Sequence, residues 1–343
     1  MSGGNVRNAM YWDLEGPISS MDHAALLCKR HVLGGDKLFP VMSRFDDILA
    51  LDNKEGYEPG DTLMLQIPFL VEAGVTEKDL RVLSAEAGLV PGVDVLFSSV
   101  REQGCAISII STSYEQHALA IAARVKVSLD RVYCTKFPLD QFRENIGQAD
   151  LQLIREIRKK ATALYHEELD SGVNDEEIQK LLNPFFWEQL PKTPFGQIMA
   201  TMSVMGGRRK VGALEQAVRT LGGYLSDAFV VADSITDFRM AQVVEAAGGI
   251  ALVWNGNQYI IPFGSCGVAA VNSMAIAALF QAWLDGGRPA VREAVESMPK
   301  PHPETGPYYH WLAGRDPEFH SEVLAIHKRL RTVCRGAETA KLG

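Results

Sequence analysis

The chain has 343 residues, 47% of them hydrophobic and 22% charged, with a formal net charge of −8. That length allows one large domain or a core with an accessory domain, and the composition is ordinary for a soluble globular protein. The acidic balance argues against sequence-independent nucleic-acid binding, which needs a basic face, but leaves room for a local basic pocket that takes a small anion.

The first strand candidate, residues 8–13, carries Ala9-Met10-Tyr11-Trp12 into Asp13-Leu14-Glu15-Gly16-Pro17. A short apolar run that ends in acids reads as a buried strand delivering carboxylates to a sheet edge. Residues 19–92 then read mostly as helix, with Leu80, Leu83, Ala87 and Leu89 at apolar spacing. The second strand candidate, 106–111, ends in Ser111-Thr112-Ser113, a hydroxyl followed by small residues whose N–H groups suit an anion. A helix is expected near 114–126 and a third strand over 131–136. Residues 139–205 look helical again, with a stripe of Leu153, Ile154, Ile157, Ala161 and Leu164.

Gly206-Gly207-Arg208-Arg209-Lys210 opens the next helix, expected over 208–221. A lysine near a helix start can reach into a site as a point charge, whereas Arg208 and Arg209 read as a solvated face. The strand candidate 228–233 runs into Asp233-Ser234-Ile235-Thr236-Asp237, and a helix over 237–247 leads to a fifth strand, 249–254. Asn255-Gly256-Asn257 follows that strand; Asn255 and Asn257 are candidates for lining a site, with a turn as their default role. Residues 267–284 are the most apolar stretch, interrupted by Asn272, Ser273 and Gln281, and read as a helix buried against a sheet rather than a membrane span. The end, 286–343, is rich in proline and charge and then helical from about 317.

Strands alternating with helices imply an α/β, doubly wound parallel sheet whose site lies beyond the carboxyl ends of the strands. Asp13, Ser111 and Asp233 each stand at such an end. Two acid-tipped strands far apart in sequence share one hard cation such as Mg²⁺ if the strands are neighbours, because Mg²⁺ prefers oxygen ligands. The expected division is a core of 1–18, 93–138 and 206–285, a helical cap over 19–92, a second helical insertion over 139–205, and a C-terminal helical extension over 286–343. The five cysteines, Cys28, Cys105, Cys134, Cys266 and Cys334, have no metal-ligand spacing and leave one unpaired, which points to reduced thiols in a cytoplasmic protein. The N-terminus lacks the basic and apolar regions of a signal peptide. The eight histidines, His23 and His117 among them, also lack metal-ligand spacing; for His23, in the lid segment, a surface position is expected, with a substrate contact as the alternative.

The series Asp13-x-Glu15, Ser111, Lys210, Asp233-Ser234-x-x-Asp237 resembles the haloacid dehalogenase superfamily, whose four motifs occur in that order. The insertion positions look like that family's two cap sites, and the resemblance implies a Rossmann-like core. Glu15 stands where most phosphatases of the family have a second aspartate. A DxE form occurs in enolase-phosphatases and in a phosphoserine:homoserine phosphotransferase, and Tyr114-Glu115 also looks like the latter. Asp13-Leu14-Glu15-Gly16-Pro17-Ile18-Ser19 and Trp254-Asn255-Gly256-Asn257 are similar to the group called energy-converting hydrogenase subunit R.

The resemblance implies a Mg²⁺-dependent phosphomonoesterase acting on a small phosphorylated metabolite through an aspartyl-phosphate. Asp13 would be the nucleophile, and Glu15 the proton donor and then the base that activates water. Asp13, the carbonyl of Glu15, and Asp233 would hold Mg²⁺, with Asp237 acting through a water or by orienting Lys210. Ser111 and the N–H of Thr112 would bind phosphoryl oxygens, and Lys210 would counter the charge of nucleophile and phosphate. Tyr114 is expected to pack. Two other readings stay open: a phosphotransferase that uses an acceptor hydroxyl, and a non-catalytic binding or regulatory subunit with the same fold. Neither nucleic acid nor a membrane is an expected partner. The helical insertion either pairs with a second subunit, making a homo-oligomer, or closes over the site.

Overall fold

The computed structural model describes residues 8–52, 54–337 and 339–341. Among them, strands β1 (Ala9–Trp12), β2 (Ala106–Tyr114), β3 (Val132–Thr135), β4 (Phe229–Ala232), β5 (Ile250–Trp254), β6 (Cys266–Ala269) and β7 (Tyr308–Trp311) form one sheet. Their order is β3-β2-β1-β4-β5-β6-β7. All neighbours run parallel except β6 and β7, which are antiparallel. β1 is central, flanked by β2 and β4, so the strands that carry Asp13, Ser111 and Asp233 are adjacent; β2 runs on to Tyr114, so Ser111 lies within it rather than at the end expected at 111.

The strands are apolar on both faces because helices cover both. Met10, Trp12, Ile109, Phe229 and Val231 face one layer with Phe97, Ile121, Leu279 and Trp283. Tyr11, Ile110, Val230 and Val253 alternate to the other, against Leu214, Met240 and Val323. Helices Val93–Glu102, Glu115–Arg124 and Ala277–Ser297 supply the first layer, and Arg208–Thr220, Phe238–Ala247 and Pro317–Arg335 the second.

The doubly wound parallel sheet is as expected, with three differences. The apolar stretch 267–284 begins as strand β6, and its regular helix starts only at Ala277. An apolar run of this length does not by itself separate a buried strand from a buried helix. The segment 286–343 is not wholly a helical extension, since it supplies β7 to the sheet edge and Trp311 to the core. The helix that carries Leu80 and Leu83 ends at Ala85, so Ala87 and Leu89 lie beyond it.

Residues from 19–92 and 139–205 build a helical layer of their own. Its helices include His23–His31, Gly35–Leu51, Thr62–Glu72, Gln148–Ala163 and Asp175–Pro184. They share one apolar cluster around Phe45, Phe69, Ile154, Phe185 and Phe195. Tyr114, the last residue of β2, and Phe137, just after β3, enter this cluster and stack at 3.9 Å between ring centroids. All five cysteines are free thiols. No helix among the described residues is long and apolar enough to cross a membrane.

Candidate active site

β1, β2 and β4 bring their motifs to one edge. Asp13 follows β1 directly, and its N–H donates to the carbonyl of Val231 in β4 at 2.9 Å, which seats the acid between the strands. Gly16 turns the chain after Asp13-Leu14-Glu15 with φ +114°, a conformation that glycine alone adopts readily. Ser111 is buried, and its hydroxyl accepts from the N–H of Ser113 at 3.1 Å. The Thr112 hydroxyl is buried without a partner.

Helix Arg208–Thr220 delivers Lys210. Gly206 and Gly207 precede it because the loop through Pro59 leaves no space for side chains there. A methyl group at position 206 would stand 2.1 Å from the carbonyl oxygen of Pro59, and one at 207 would stand 2.0 Å from Glu58 Oε2. Lys210 Nζ then donates at 2.6 Å to Asp13 Oδ1 and at 2.6 Å to Asp237 Oδ1, with Thr236 Oγ1 at 3.3 Å. Burial opposes the ammonium charge, but the two carboxylates keep Lys210 above its ordinary value. Burial and then Asp237 push Asp13 up to about 7, against the pull of Lys210. One lysine does not neutralise two buried acids, so the group retains a proton more readily than a solvated carboxylate would.

Asp13, Asp233 and Asp237 each offer a carboxylate oxygen within 4.8 Å of the others, all three buried. Asp233 Oδ1 is buried and has no hydrogen-bond partner. An all-oxygen, acidic donor set with an open ligand atom fits a hard dication such as Mg²⁺.

Glu15 lies on the pocket wall. Its Oε1 accepts from the Ser113 hydroxyl and, at 3.3 Å, from the backbone N–H of His23. Burial first, and Asp22 next, push Glu15 up to about 8. His117 Nε2 is 4.0 Å from the same oxygen, and the His117 ring stacks on His23 at 4.3 Å. Burial holds both rings below the usual imidazole range, so they are neutral neighbours. The expected surface position of His23 is therefore corrected. It is fully buried, with Nε2 3.1 Å from the carbonyl of Leu80, because the helical layer folds back over the motif loops.

A pocket of about 100 Å³ opens here, lined by Asp13, Glu15, Ser111, Thr112, Arg331 and Arg335 among others. Asp22, Phe39, Ser43 and Arg335 also line a larger chamber of about 610 Å³, together with Lys29, Arg44 and Tyr165. Arg331 and Arg335 had no signal in the sequence. They sit in helix Pro317–Arg335, about a hundred residues after Asp233, yet both reach its carboxylate.

Other candidates brace the site from behind. Neither Asn255 nor Asn257 is among the residues lining the small pocket. The Asn255 side chain exchanges hydrogen bonds with the backbone of Ala270, and the Asn257 N–H donates to the carbonyl of Asp233 at 3.1 Å. Asn255 takes φ +44° in this turn. Tyr114 packs as expected, its hydroxyl donating to the carbonyl of Leu63 at 2.8 Å. Arg208 is exposed, but Arg209 pairs with the largely buried Asp61, tying the core helix to the helical layer.

An acid pair after the central strand, a serine within its neighbour, a lysine at a helix start and two acids after β4 thus converge on one buried group of carboxylates. That convergence agrees with the resemblance to the haloacid dehalogenase superfamily read from the motif order. No family model and no curated protein matches the chain. Among solved structures, the chain is similar to gene product AF1437 from Archaeoglobus fulgidus, at 26% identity and a TM-score of 0.83, over 98% of this chain and 99% of that one. A substrate-bound phosphoserine phosphatase is 9% identical, over 78% of this chain and 96% of that one, with a TM-score of 0.49. A HAD family hydrolase from Salmonella enterica serovar Typhi is 13% identical, over 74% and 64%, with a TM-score of 0.47.

Proposed function

We propose that the protein is a Mg²⁺-dependent phosphomonoesterase that works through an aspartyl-phosphate on Asp13. The observation that carries this reading is the buried cluster of Asp13, Asp233, Asp237 and Lys210, with Glu15 beside it. Asp13, the backbone carbonyl of Glu15, and Asp233 would hold Mg²⁺, and Asp237 orients Lys210. The ion, when bound, offsets the repulsion between the carboxylate and the phosphate dianion and orients a phosphoryl oxygen.

A carboxylate oxygen of Asp13 attacks phosphorus, and the ester P–O bond breaks. Glu15 gives its proton to the departing oxygen, a role that a carboxyl raised to about 8 suits at neutral pH. Ser111, the N–H of Thr112, and Lys210 bind the phosphoryl oxygens as charge builds on them. Glu15 then takes a proton from water, which attacks the same phosphorus; the bond to Asp13 breaks and phosphate leaves. The substrate is a small phosphorylated metabolite whose leaving group extends from the small pocket into the chamber of about 610 Å³. The helical layer acts as a lid that excludes water and selects that group.

The size of the chamber favours a second reading, transfer of the phosphoryl group from Asp13 to an acceptor hydroxyl held there. Phosphate release from 4-nitrophenyl phosphate, with Mg²⁺ or EDTA, compared between wild type and Asp13→Asn, tests the hydrolase reading. Metal-dependent release lost in the variant supports it. Release of 4-nitrophenol that rises with added alcohols and exceeds phosphate release, the missing phosphoryl group being recovered on the alcohol, would favour transfer. No release from any of a broad panel of phosphate esters would favour a binding role.

A further inference from the structure

Ser113 contacts two of the groups at the phosphate end of the pocket. Its N–H donates to the Ser111 hydroxyl oxygen at 3.1 Å, and its own hydroxyl donates to Glu15 Oε1. A second donor reaches that same oxygen, the backbone N–H of His23 at 3.3 Å. Ser113 is buried inside β2, next to Tyr114, which pairs with Thr135 of β3, so the sheet fixes its backbone.

The two carboxyl oxygens of Glu15 are therefore unequal. Oε1 accepts twice, as the carbonyl oxygen of a neutral carboxyl does, which leaves the proton of such a carboxyl on Oε2. Among the described residues Oε2 receives no hydrogen bond, nor is it one of the buried polar atoms without a partner, so it opens to the pocket that Glu15 lines. Asp22, Arg335 and Asp13 act on Glu15 through charge, with no hydrogen bond to its carboxyl among the described residues. His117 Nε2 stands 4.0 Å from Oε1, beyond hydrogen-bond reach. Ser111 is constrained in a similar way: its oxygen accepts from Ser113, and its hydroxyl hydrogen is left for a phosphoryl oxygen.

We propose that Ser113 is a positioning residue for proton transfer, holding Glu15 with Oε1 occupied and Oε2 turned to the ester oxygen. As an Asp13 oxygen bonds to phosphorus and the ester P–O bond breaks, the electron pair of that bond goes to the departing oxygen, which takes its proton from Oε2. Without the Ser113 hydroxyl only the His23 N–H marks Oε1, and the carboxyl is free to turn and to carry its proton on either oxygen. The inference rests on the phosphomonoesterase reading proposed above, in which Ser113 has no part.

Ser113→Ala removes the hydroxyl and keeps the N–H that serves Ser111. Single-turnover release of the phenol, followed by rapid quench with Mg²⁺ present, reports the first step. It compares phenyl phosphate, whose leaving oxygen gains from a proton, with 4-nitrophenyl phosphate, whose leaving oxygen needs none. The variant should slow phenyl phosphate at least about fivefold more than 4-nitrophenyl phosphate. Ser113→Thr, which keeps the hydroxyl, should restore the phenyl phosphate rate. Added to Glu15→Gln, Ser113→Ala should cost less than about twofold more on phenyl phosphate, because residues that act through one group are not additive. Equal losses on the two esters, or losses that multiply in the double variant, would make Ser113 a merely structural residue and overturn the proposal. So would a phenyl phosphate rate in Ser113→Ala within about twofold of wild type. If Ser113→Ala does not fold, Ser113→Cys, close in size and a weak donor, carries the comparison. Phenol release by wild type without these differences sinks this proposal alone. No turnover by wild type of these esters or of a broad panel of phosphate esters sinks the phosphatase reading and this proposal with it.

Discussion

The backbone at Gly16 lies directly against the carboxylate of Asp233: a methyl group at position 16 would stand 2.2 Å from Asp233 Oδ2. The turn after β1 is thus shaped around an acid delivered by β4. Gly16→Ala is expected to displace Asp233 and to place a side chain at φ +114°, a strain of about 1–3 kcal/mol. Metal-dependent phosphate release should fall by more than tenfold while the protein stays folded. Activity within twofold of wild type would show that Asp233 Oδ2 need not occupy this position.

The proton-donor role assigned to Glu15 sets a pH dependence. Its carboxyl is raised to about 8, by burial first and then by Asp22, and the donor must be protonated. Turnover of an alkyl phosphate should therefore decline as pH rises through about 8. A bound dication would lower that value, which a comparison of Mg²⁺ concentrations would reveal. In rapid-quench measurements of the first step, formation of the aspartyl-phosphate, Glu15→Gln should slow alkyl esters by roughly 10²–10⁴-fold and 4-nitrophenyl phosphate far less, because that leaving group needs no proton. Equal losses in that step on both substrates would remove the proton-donor role from Glu15.

Glu58 ties the helical layer to the core. Its Oε2 accepts from the N–H of Arg208 at 3.2 Å and from Arg239 Nε at 2.9 Å, and its side chain is 11% exposed. Glu58→Ala leaves both donors short of a partner, with an expected loss of about 1–3 kcal/mol in unfolding free energy. Urea denaturation of the metal-free protein measures it. A change below about 0.5 kcal/mol would place the tie with ordinary surface ion pairs.

Tyr114 spans the same boundary from the other side, donating to the carbonyl of Leu63 while stacked on Phe137. Tyr114→Phe keeps the stacking and removes one buried hydrogen bond, so a loss of about 0.5–1.5 kcal/mol is expected. Phosphate release should persist in this variant, since the tyrosine packs and does no chemistry. Its abolition would bring Tyr114 into the site.

Local pattern determined the framework. Apolar runs ahead of Asp13, Ser111 and Asp233 marked buried strands, because a strand covered on both faces is largely apolar; β2 nevertheless contains the buried Ser108 and runs past Ser111 to Tyr114. The order of the motifs made Lys210 a site residue although three adjacent basic residues ordinarily read as surface, and its contacts with Asp13 and Asp237 bring it there. Tertiary structure alone decided the rest. Cys266–Ala269 and Tyr308–Trp311 become strands by pairing at the sheet edge, which their short apolar or aromatic runs did not specify. His23 is buried because it stacks on His117 beneath the helical layer, and Asn255 and Asn257 turn toward the backbone rather than the pocket. Arg331 and Arg335 carry no motif, since an arginine on an amphipathic helix reads as solvated. What makes them part of the site is a contact with Asp233 across some hundred residues of sequence, and only the folded chain creates that proximity.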